Sequence, residues 1–267
     1  MLRRTMPADN TPATPALQLA GKRVVVTGAS SGIGRAIALA AARQGADVVL
    51  TFRSNETGAS QAASEIRDLG RRAAIIGADL AEDSGLSRLI DTARHAFGGV
   101  DAWVNNAGAD VLTGEGAQLS RREKLDLLLR VDLRGTMLAS WAAADLMQTQ
   151  PAGGVIINMS WDGVLRGLEG ENPELFSAVK GGVLAFSRSL ARTLAPKIRV
   201  NILGPGWIET AFGEGADSAF KRRVAAQIPM GRWGTPEDVA GAAVYLASDA
   251  ARYLTGQMIM VNGGDVM

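Results

Sequence analysis

The chain has 267 residues, with 28 lysines and arginines against 27 aspartates and glutamates, so its formal net charge is +1. Charges that nearly cancel and are interspersed give no indication of nucleic acid or an anionic membrane as a partner. The sequence contains no cysteine, which excludes disulfides, thiolate metal sites and a cysteine nucleophile. No metal site is predicted.

Residues 1–18 are rich in proline, threonine and alanine, and we predict a disordered leader there. They contain neither the apolar run nor the arginine-rich amphipathic helix of a targeting peptide. Residues 19–267 show no linker, repeat or low-complexity block, which predicts a single domain. No stretch approaches the roughly 20 apolar residues that span a bilayer. We therefore expect a soluble, cytoplasmic protein.

Short runs of β-branched residues alternate with longer helical patterns along the chain, which predicts βαβ units and a parallel sheet. The predicted strands are Arg23–Thr27, Asp47–Phe52, Ala73–Gly77, Ala102–Asn105, Gly154–Met159, Arg199–Leu203 and Met258–Val261. The predicted helices are Gly34–Gln44, Thr57–Leu69, Gly85–Phe97, Arg121–Gln148, Phe176–Leu194, Ala216–Gln227 and Pro236–Ala247. The strands are mostly apolar throughout, as strands covered by helices on both faces should be. The fold class is therefore α/β, in one doubly wound domain.

A glycine-rich turn separates the first predicted strand from the first predicted helix. Its glycines permit a tight turn, let a pyrophosphate approach the backbone and let helix and strand pack closely. The helix N-terminus adds amides and a partial positive charge for phosphates. A motif that follows a strand and opens a helix predicts a dinucleotide cofactor. The predicted phosphate-binding residues are Gly28, Ser30, Ser31, Gly32, Ile33 and Gly34.

The end of the second predicted strand indicates which dinucleotide is bound. A carboxylate there would receive the adenosine ribose hydroxyls and select NAD, whereas an arginine accommodates the 2′-phosphate of NADP. The sequence has no acid at this point and offers Arg53 and the hydroxyl of Ser54. NADP(H) is therefore the predicted cofactor.

From Leu19 to Gly264 the chain resembles the short-chain dehydrogenase/reductase family, on five motifs in the family's order. The motifs beyond the glycine turn are Asp79-Leu80, Asn105-Asn106-Ala107-Gly108, Pro205-Gly206-Trp207-Ile208-Glu209-Thr210, Pro236-Glu237-Asp238 and Thr255-Gly256-Gln257 with Val261-Asn262-Gly263-Gly264. The resemblance implies a Rossmann-like sheet of about seven parallel strands and a homotetramer. It also implies cofactor contacts from Asp79, Leu80, Asn106, Ala107, Gly108, Lys180, Pro205, Gly206, Ile208 and Thr210.

The catalytic positions implied by the resemblance are mostly substituted. The family uses a tyrosine as acid, a lysine four residues later, a serine on the substrate carbonyl and a helix asparagine. Only Lys180 matches, because Phe176 stands at the tyrosine position, Asp132 at the asparagine position and Trp161 at the serine position. The connection from Trp161 to Phe176 is longer than usual for the family, so a loop insertion could turn the preceding Ser160 into the site.

A phenyl ring has no proton to donate, so another group must act if the chain is catalytic. Asp162 is the preferred candidate, because it lies nearest the strand end in a segment that also holds Glu169, Glu171 and Glu174. A carboxyl group in apolar surroundings has a raised pKa and can remain a usable acid. Lys180 is further predicted to pair with Asp132 now that no phenolate needs its charge. The predicted substrate pocket consists of Trp161, Phe176, Trp207 and Phe212.

Three functions remain open from the sequence. The first is an atypical NADP(H)-dependent oxidoreductase acting on an apolar or aromatic carbonyl- or enone-like small molecule. The second is a catalytically inactive NADPH-binding regulator or subunit. The third is a lyase or isomerase on the same fold that uses Lys180 as a base. The cofactor prediction is common to the first two.

Overall fold

The computed structural model describes residues 17–267, so most of the predicted leader lies outside the described residues. Leu17 and Gln18 are described, and the backbone N–H of Gln18 donates to the side chain of Gln44. Their side chains are exposed, in front of a turn that leads into the first strand. No helix within residues 17–267 combines the length and the apolar character needed to cross a bilayer.

Seven parallel strands form one sheet in the order β3-β2-β1-β4-β5-β6-β7. The strands are β1 (Arg23–Val26), β2 (Asp47–Phe52), β3 (Ala73–Gly77), β4 (Ala102–Asn105), β5 (Gly154–Met159), β6 (Ile198–Pro205) and β7 (Met258–Val261). The order reverses between β1 and β4, where the chain crosses from one half of the sheet to the other. In such sheets, ligands bind outside the carboxyl ends of the strands at this reversal. The predicted Rossmann-like fold is confirmed.

Helices cover both faces of the sheet. They are α1 (Gly32–Arg43), α2 (Glu56–Asp68), α3 (Asp83–Ala96), α4 (Gly114–Gln118), α5 (Arg121–Leu128), α6 (Thr136–Gln148), α7 (Glu171–Leu194), α8 (Ala211–Gly215), α9 (Ser218–Ala225) and α10 (Pro236–Ala247). One core cluster joins the sheet to α1 and α10, and a second joins its other face to α3, α6 and α7. Burial on both faces explains why the strand sequences are apolar throughout.

The prediction of one continuous helix over Arg121–Gln148 is wrong, because the segment is interrupted. A π-helical segment, Leu129–Gly135, interrupts it and separates α5 from α6. Such segments occur frequently at functional sites, and this one carries Asp132. A widened turn leaves the apolar period almost unchanged over two or three turns, so the sequence pattern does not reveal it. The glycine-containing α4 and α8 were also not predicted, because helices of five residues have too little periodicity.

Candidate active site

A cleft of ≈ 770 Å³ opens at the carboxyl ends of the strands, where the strand order reverses. It brings together most of the residues predicted to hold the cofactor. Those that line it are Gly28, Ser30, Ser31, Gly32, Ile33, Gly34, Arg53, Ser54, Asp79, Leu80, Asn106, Ala107, Gly108, Lys180 and Thr210. Three other predicted contacts, Pro205, Gly206 and Ile208, do not line the cleft. Ile208 is buried, and the Gly206 N–H is bonded to the carbonyl of Val261.

The glycine turn is shaped by two close backbone approaches. Gly28 has a positive φ of 64°, and a Cβ there would lie 2.8 Å from the Cα of Ala107. A Cβ on Gly34 would lie only 2.2 Å from the carbonyl oxygen of Gly28. No other residue type fits these positions without moving backbone. The turn is thus held close to the loop after β4.

The N-terminus of α1 is open to the cleft. Its N-cap residue, Ser31, makes no side-chain capping hydrogen bond, and no acidic residue lies in the first turn. The amides of a helix N-terminus have no partner within the helix, so they are available to an anionic ligand. Together with the glycine turn, these donors fit the pyrophosphate of a nicotinamide dinucleotide.

Arg53 and Ser54 are exposed at the end of the cleft beside β2. The side chain of the following residue, Asn55, accepts a hydrogen bond from the Gly58 N–H and caps α2, so this oxygen already has a partner within the protein. Asp110 lies across the cleft, and its pKa lies below its ordinary value. Burial by itself raises this pKa. Hydrogen bonds from Thr113 and Leu112 and the positive charge of Arg53 lower it by more than burial raises it. No carboxylate directly follows β2.

Lys180 and Asp132 form a buried ion pair at the other end of the cleft. Lys180 Nζ lies 2.9 Å from Asp132 Oδ2, and the two side chains are 9% and 2% exposed. Lys180 Nζ also donates to the carbonyl of Met159, at 3.3 Å. The second carboxylate oxygen of Asp132 accepts the Ala109 N–H at 2.8 Å. The predicted pairing is confirmed, and it ties the π-helical segment to the loop after β4 and to α7.

Phe176 lines the cleft beside this pair, as predicted from its position on α7. The ring of Trp161 packs edge-on against it, with centroids 6.3 Å apart, but Trp161 itself does not line the cleft. Phe212 lines the cleft from α8. Trp207 was predicted beside it in the pocket, but lies instead in an aromatic cluster with Phe212, Phe220 and Trp233.

Ser160 does not turn into the cleft. Its hydroxyl is buried and donates to the carbonyl oxygen of Lys180 at 2.9 Å. The longer connection after Trp161 does not change this, because it begins beyond Ser160. The structure therefore assigns Ser160 to the packing of α7 against β5.

Asp162 also points away from the cleft, which contradicts its predicted place as acid. Its Oδ2 accepts a hydrogen bond from Asn262 Nδ2 at 3.1 Å and lies 2.9 Å from where a Cβ on Gly206 would be. Burial raises the pKa of Asp162, and the nearby carboxylate of Asp265 adds to this rise, although hydrogen bonding from Asn262 opposes it. The raised pKa was anticipated correctly, but the carboxyl group faces the C-terminal loop.

The raised pKa of Asp162 predicts a pH-dependent stability. The folded state favours the protonated form of the Asp162 carboxyl group. The stabilisation that this preference gives the folded state is therefore fully present below the unfolded-state pKa, about 4, and is lost as pH rises through the folded-state pKa. Asp162→Asn mimics the protonated form. Denaturant unfolding from pH 4 to 7 should show the wild type losing stability relative to this variant as pH rises. A difference that stays constant with pH would contradict the prediction.

A family model described as enoyl-(acyl carrier protein) reductase matches residues 28–265. The 3beta-hydroxysteroid dehydrogenase 1 of Eggerthella lenta is 38% identical over 249 residues, which cover 92% of this chain and 94% of that protein. The L-rhamnose 1-dehydrogenase (NAD(P)(+)) of Azotobacter vinelandii is 40% identical over 253 residues, with 92% and 97% covered. The chain belongs to the short-chain dehydrogenase/reductase family.

Solved structures of this short-chain dehydrogenase/reductase family superpose over nearly the whole chain. A short chain dehydrogenase from Burkholderia cenocepacia J2315 in complex with NADP has a TM-score of 0.84 and 33% identity, covering 93% of this chain and 99% of that chain. A 7 alpha-hydroxysteroid dehydrogenase complexed with NADH and 7-oxo glycochenodeoxycholic acid has a TM-score of 0.85 and 31% identity, covering 93% and 96%. The relatives thus include proteins bound to either dinucleotide.

Some cleft residues of this short-chain dehydrogenase/reductase were not singled out from the sequence as site residues. Glu209 lines the cleft and pairs with Lys221 at 2.7 Å, and Glu214 lines it from α8. Asp110 lines it opposite Arg53. Glu209 lies within a quoted motif, so its place could have been anticipated. Glu214 and Asp110 carry no local signal, because the folding of their loops brings them to the cleft.

Proposed function

We propose that the chain is an NADP(H)-dependent oxidoreductase that transfers hydride to an apolar or aromatic carbonyl- or enone-like substrate without a phenol as acid. The observation that carries this proposal is the single continuous cleft. It runs from Arg53 through the glycine turn to the Lys180–Asp132 pair and Phe176. The residues predicted to bind a dinucleotide line this cleft, and Phe176 and Phe212 add aromatic surface to it.

The preference for NADP(H) rests on the residues after β2. Arg53 stands at the cleft where a ribose-binding carboxylate would select NAD, and no acid replaces it. An exposed guanidinium can bind a phosphate group bidentately. Glu209, Glu214 and Glu237 also line the cleft and Asp110 lies across it from Arg53, but none of them follows β2.

Arg53→Ala should weaken NADPH binding by roughly tenfold, since a charge-assisted contact to phosphate contributes about 1.5–3 kcal/mol and part is screened at an exposed site. NADH binding should change by less than about twofold. Isothermal titration calorimetry with NADPH and with NADH measures the ratio of the two affinities in the wild type and in the variant. Arg67→Ala, an exposed arginine of α2, serves as the control. Equal losses for NADPH and NADH would show that Arg53 does not recognise the 2′-phosphate.

The chemistry of the reacting end favours an activated alkene over a simple ketone. When bound, the dinucleotide supplies hydride. Hydride addition to a ketone requires a proton on oxygen, and loss of a positioned general acid typically costs about 10²–10⁴-fold. Hydride addition to an enone gives an enolate, whose carbon can take its proton from water. Lys180 lies in the cleft beside Phe176, and although its charge is paired with Asp132, its remaining N–H can donate a hydrogen bond to the substrate oxygen. The enoyl reductase description of the matching family model agrees with this preference.

Single-turnover oxidation of NADPH tests the proposal. We expect the wild type to reduce aromatic enones and to reduce the matching saturated ketones at least about 100-fold more slowly. Phe176→Tyr should restore ketone reduction, because the phenol would lie beside Lys180. Phe186→Tyr, on the same helix but outside the cleft, is the control. Tight NADPH binding without turnover of any acceptor would refute oxidoreduction and favour an inactive NADPH-binding protein.

The family likeness also supports a homotetramer, which we propose for this chain together with a cytoplasmic location. Light scattering coupled to size-exclusion chromatography measures the oligomeric state. A monomer at micromolar concentration would contradict it.

A further inference from the structure

The charge of Lys180 is cancelled inside the cleft. Its ammonium lies 2.9 Å from the Asp132 carboxylate, and both groups are buried. The other carboxylate oxygen is held by the Ala109 N–H, so the negative charge cannot swing away. At the asparagine implied by the family resemblance, the same lysine would present an uncompensated positive charge. A carboxylate at this position therefore makes the reacting end electrostatically tolerant of a cationic substrate.

The cleft that contains this pair is also lined by aromatic and acidic residues. Phe176 and Phe212 present rings to the cleft, and aromatic faces attract cations. Glu209 lines the cleft but is neutralised by Lys221 at 2.7 Å. Glu214 also lines it and forms no ion pair within residues 17–267. The charges of Asp132 and Glu209 are neutralised by Lys180 and Lys221. The carboxylate of Glu214, on the same short helix as Phe212, has no such partner among residues 17–267. Among these residues, the charge without a partner is the negative one of Glu214.

No side chain that donates a proton in the family stands at its position here. Phe176 and Trp161 replace the tyrosine and the serine, and the Ser160 hydroxyl is committed to the Lys180 carbonyl. Asp162 is turned toward Asn262. A substrate that already carries its positive charge needs no such donor. The substitution of the family's proton donors and the cancellation of the lysine charge thus point to the same acceptor chemistry.

We infer that this cleft reduces preformed iminium cations, a further activity that rests on the proposed hydride transfer from NADPH. The hydride, with its electron pair, moves from C4 of the dihydronicotinamide to the iminium carbon. The C=N π pair becomes the lone pair on nitrogen. The products are a neutral tertiary amine and NADP⁺, and no proton is transferred. The substrate class is an aromatic or otherwise apolar N-alkyl iminium ion.

The test uses the full chain with NADPH and two bicyclic acceptors of similar size. N-methyl-3,4-dihydroisoquinolinium is the cation, and a neutral cyclic enone is the comparison. Initial rates of NADPH oxidation are followed from pH 6 to 9, after subtraction of the uncatalysed reaction. We expect turnover of the cation with a kcat that changes less than about twofold across this range, since no general acid titrates. A bell-shaped profile for the cation would overturn the inference.

Asp132→Asn tests the charge argument, and asparagine is the residue that the family resemblance implies there. The variant should raise KM for the cation relative to KM for the enone by roughly 10- to 30-fold, as expected when one unit of positive charge appears at about 8 Å in an effective dielectric near 20. The control is Asp126→Asn, which removes an exposed carboxylate of α5. An unchanged KM ratio in Asp132→Asn would overturn the inference.

Glu214→Gln provides a second measurement if Asp132→Asn does not fold. Removal of this exposed carboxylate should raise KM for the cation by about two- to threefold, a screened effect, and no rise would count against the inference. Turnover of the enone without turnover of the cation refutes the inference and leaves the proposed function standing. Bound NADPH with turnover of neither acceptor refutes both, so the two failures are distinguishable.

Discussion

Gly34→Ala should lower NADPH affinity by at least about tenfold and destabilise the fold by about 1–3 kcal/mol. The alanine Cβ would lie 2.2 Å from the Gly28 carbonyl oxygen and 2.5 Å from Asn106 Nδ2. Backbone has to move to relieve the first contact, and that backbone forms the turn that we propose binds the phosphates. The Asn106 amide also bonds the carbonyls of Thr27 and Gly28. Binding and folding should therefore fail together.

Gly241→Ala is the matched control, because an added Cβ in α10 has no neighbour within 4 Å. That variant should keep NADPH binding and gain up to about 1 kcal/mol of stability, since alanine restricts the unfolded chain. Titration of NADPH and denaturant unfolding measure both effects. Wild-type affinity in Gly34→Ala would mean that the turn does not cradle the cofactor.

Asp132→Ala is expected to lower the free energy of unfolding by about 3 kcal/mol. Removing one partner of a buried ion pair leaves the other charge without compensation, which typically costs about 3–5 kcal/mol. Here Lys180 would keep a single hydrogen bond, to the Met159 carbonyl. The Ala109 N–H would lose its acceptor as well. Urea denaturation at neutral pH measures the loss.

The double variant Asp132→Ala with Lys180→Met distinguishes charge from packing. It removes both charges, and an apolar replacement of a buried pair is often neutral or stabilising. We therefore expect the double variant to be more stable than Asp132→Ala alone. Asp126→Ala, an exposed position on α5, should change stability by less than about 0.5 kcal/mol. A loss below about 1 kcal/mol in Asp132→Ala would mean that water solvates Lys180 well enough to replace the carboxylate.

Where short motifs carried the argument, the structure brings the predicted residues to one cleft. The Gly28–Gly34 turn and the position of Arg53 depend on neighbours within one βα unit, and both lie at the cleft. The Lys180–Asp132 pair was predicted from two coupled substitutions and is present. Each of these rests on residue type at a position whose backbone is set by the surrounding strand and helix.

The errors concern side-chain direction in the loops. The sequence predicted Asp162 near the reacting end, but its hydrogen-bond partner, Asn262, lies 100 residues away in the chain. Trp207 belongs to a cluster with Phe220 and Trp233, whose members come from separate segments. No periodic pattern extends through such loops, so their side-chain orientations follow from packing rather than from local preference.

By itself, the sequence determined the α/β class, the seven strands, the glycine turn and the presence at position 176 of Phe176, which has no phenol, because these depend on local periodicity, glycine geometry and residue chemistry. Only the tertiary structure decided that Ser160 and Asp162 face away from the cleft, and that the π-helical segment places Asp132 against Lys180 and Ala109. The physical reason is that charge cancellation and burial are properties of groups brought together from distant parts of the chain.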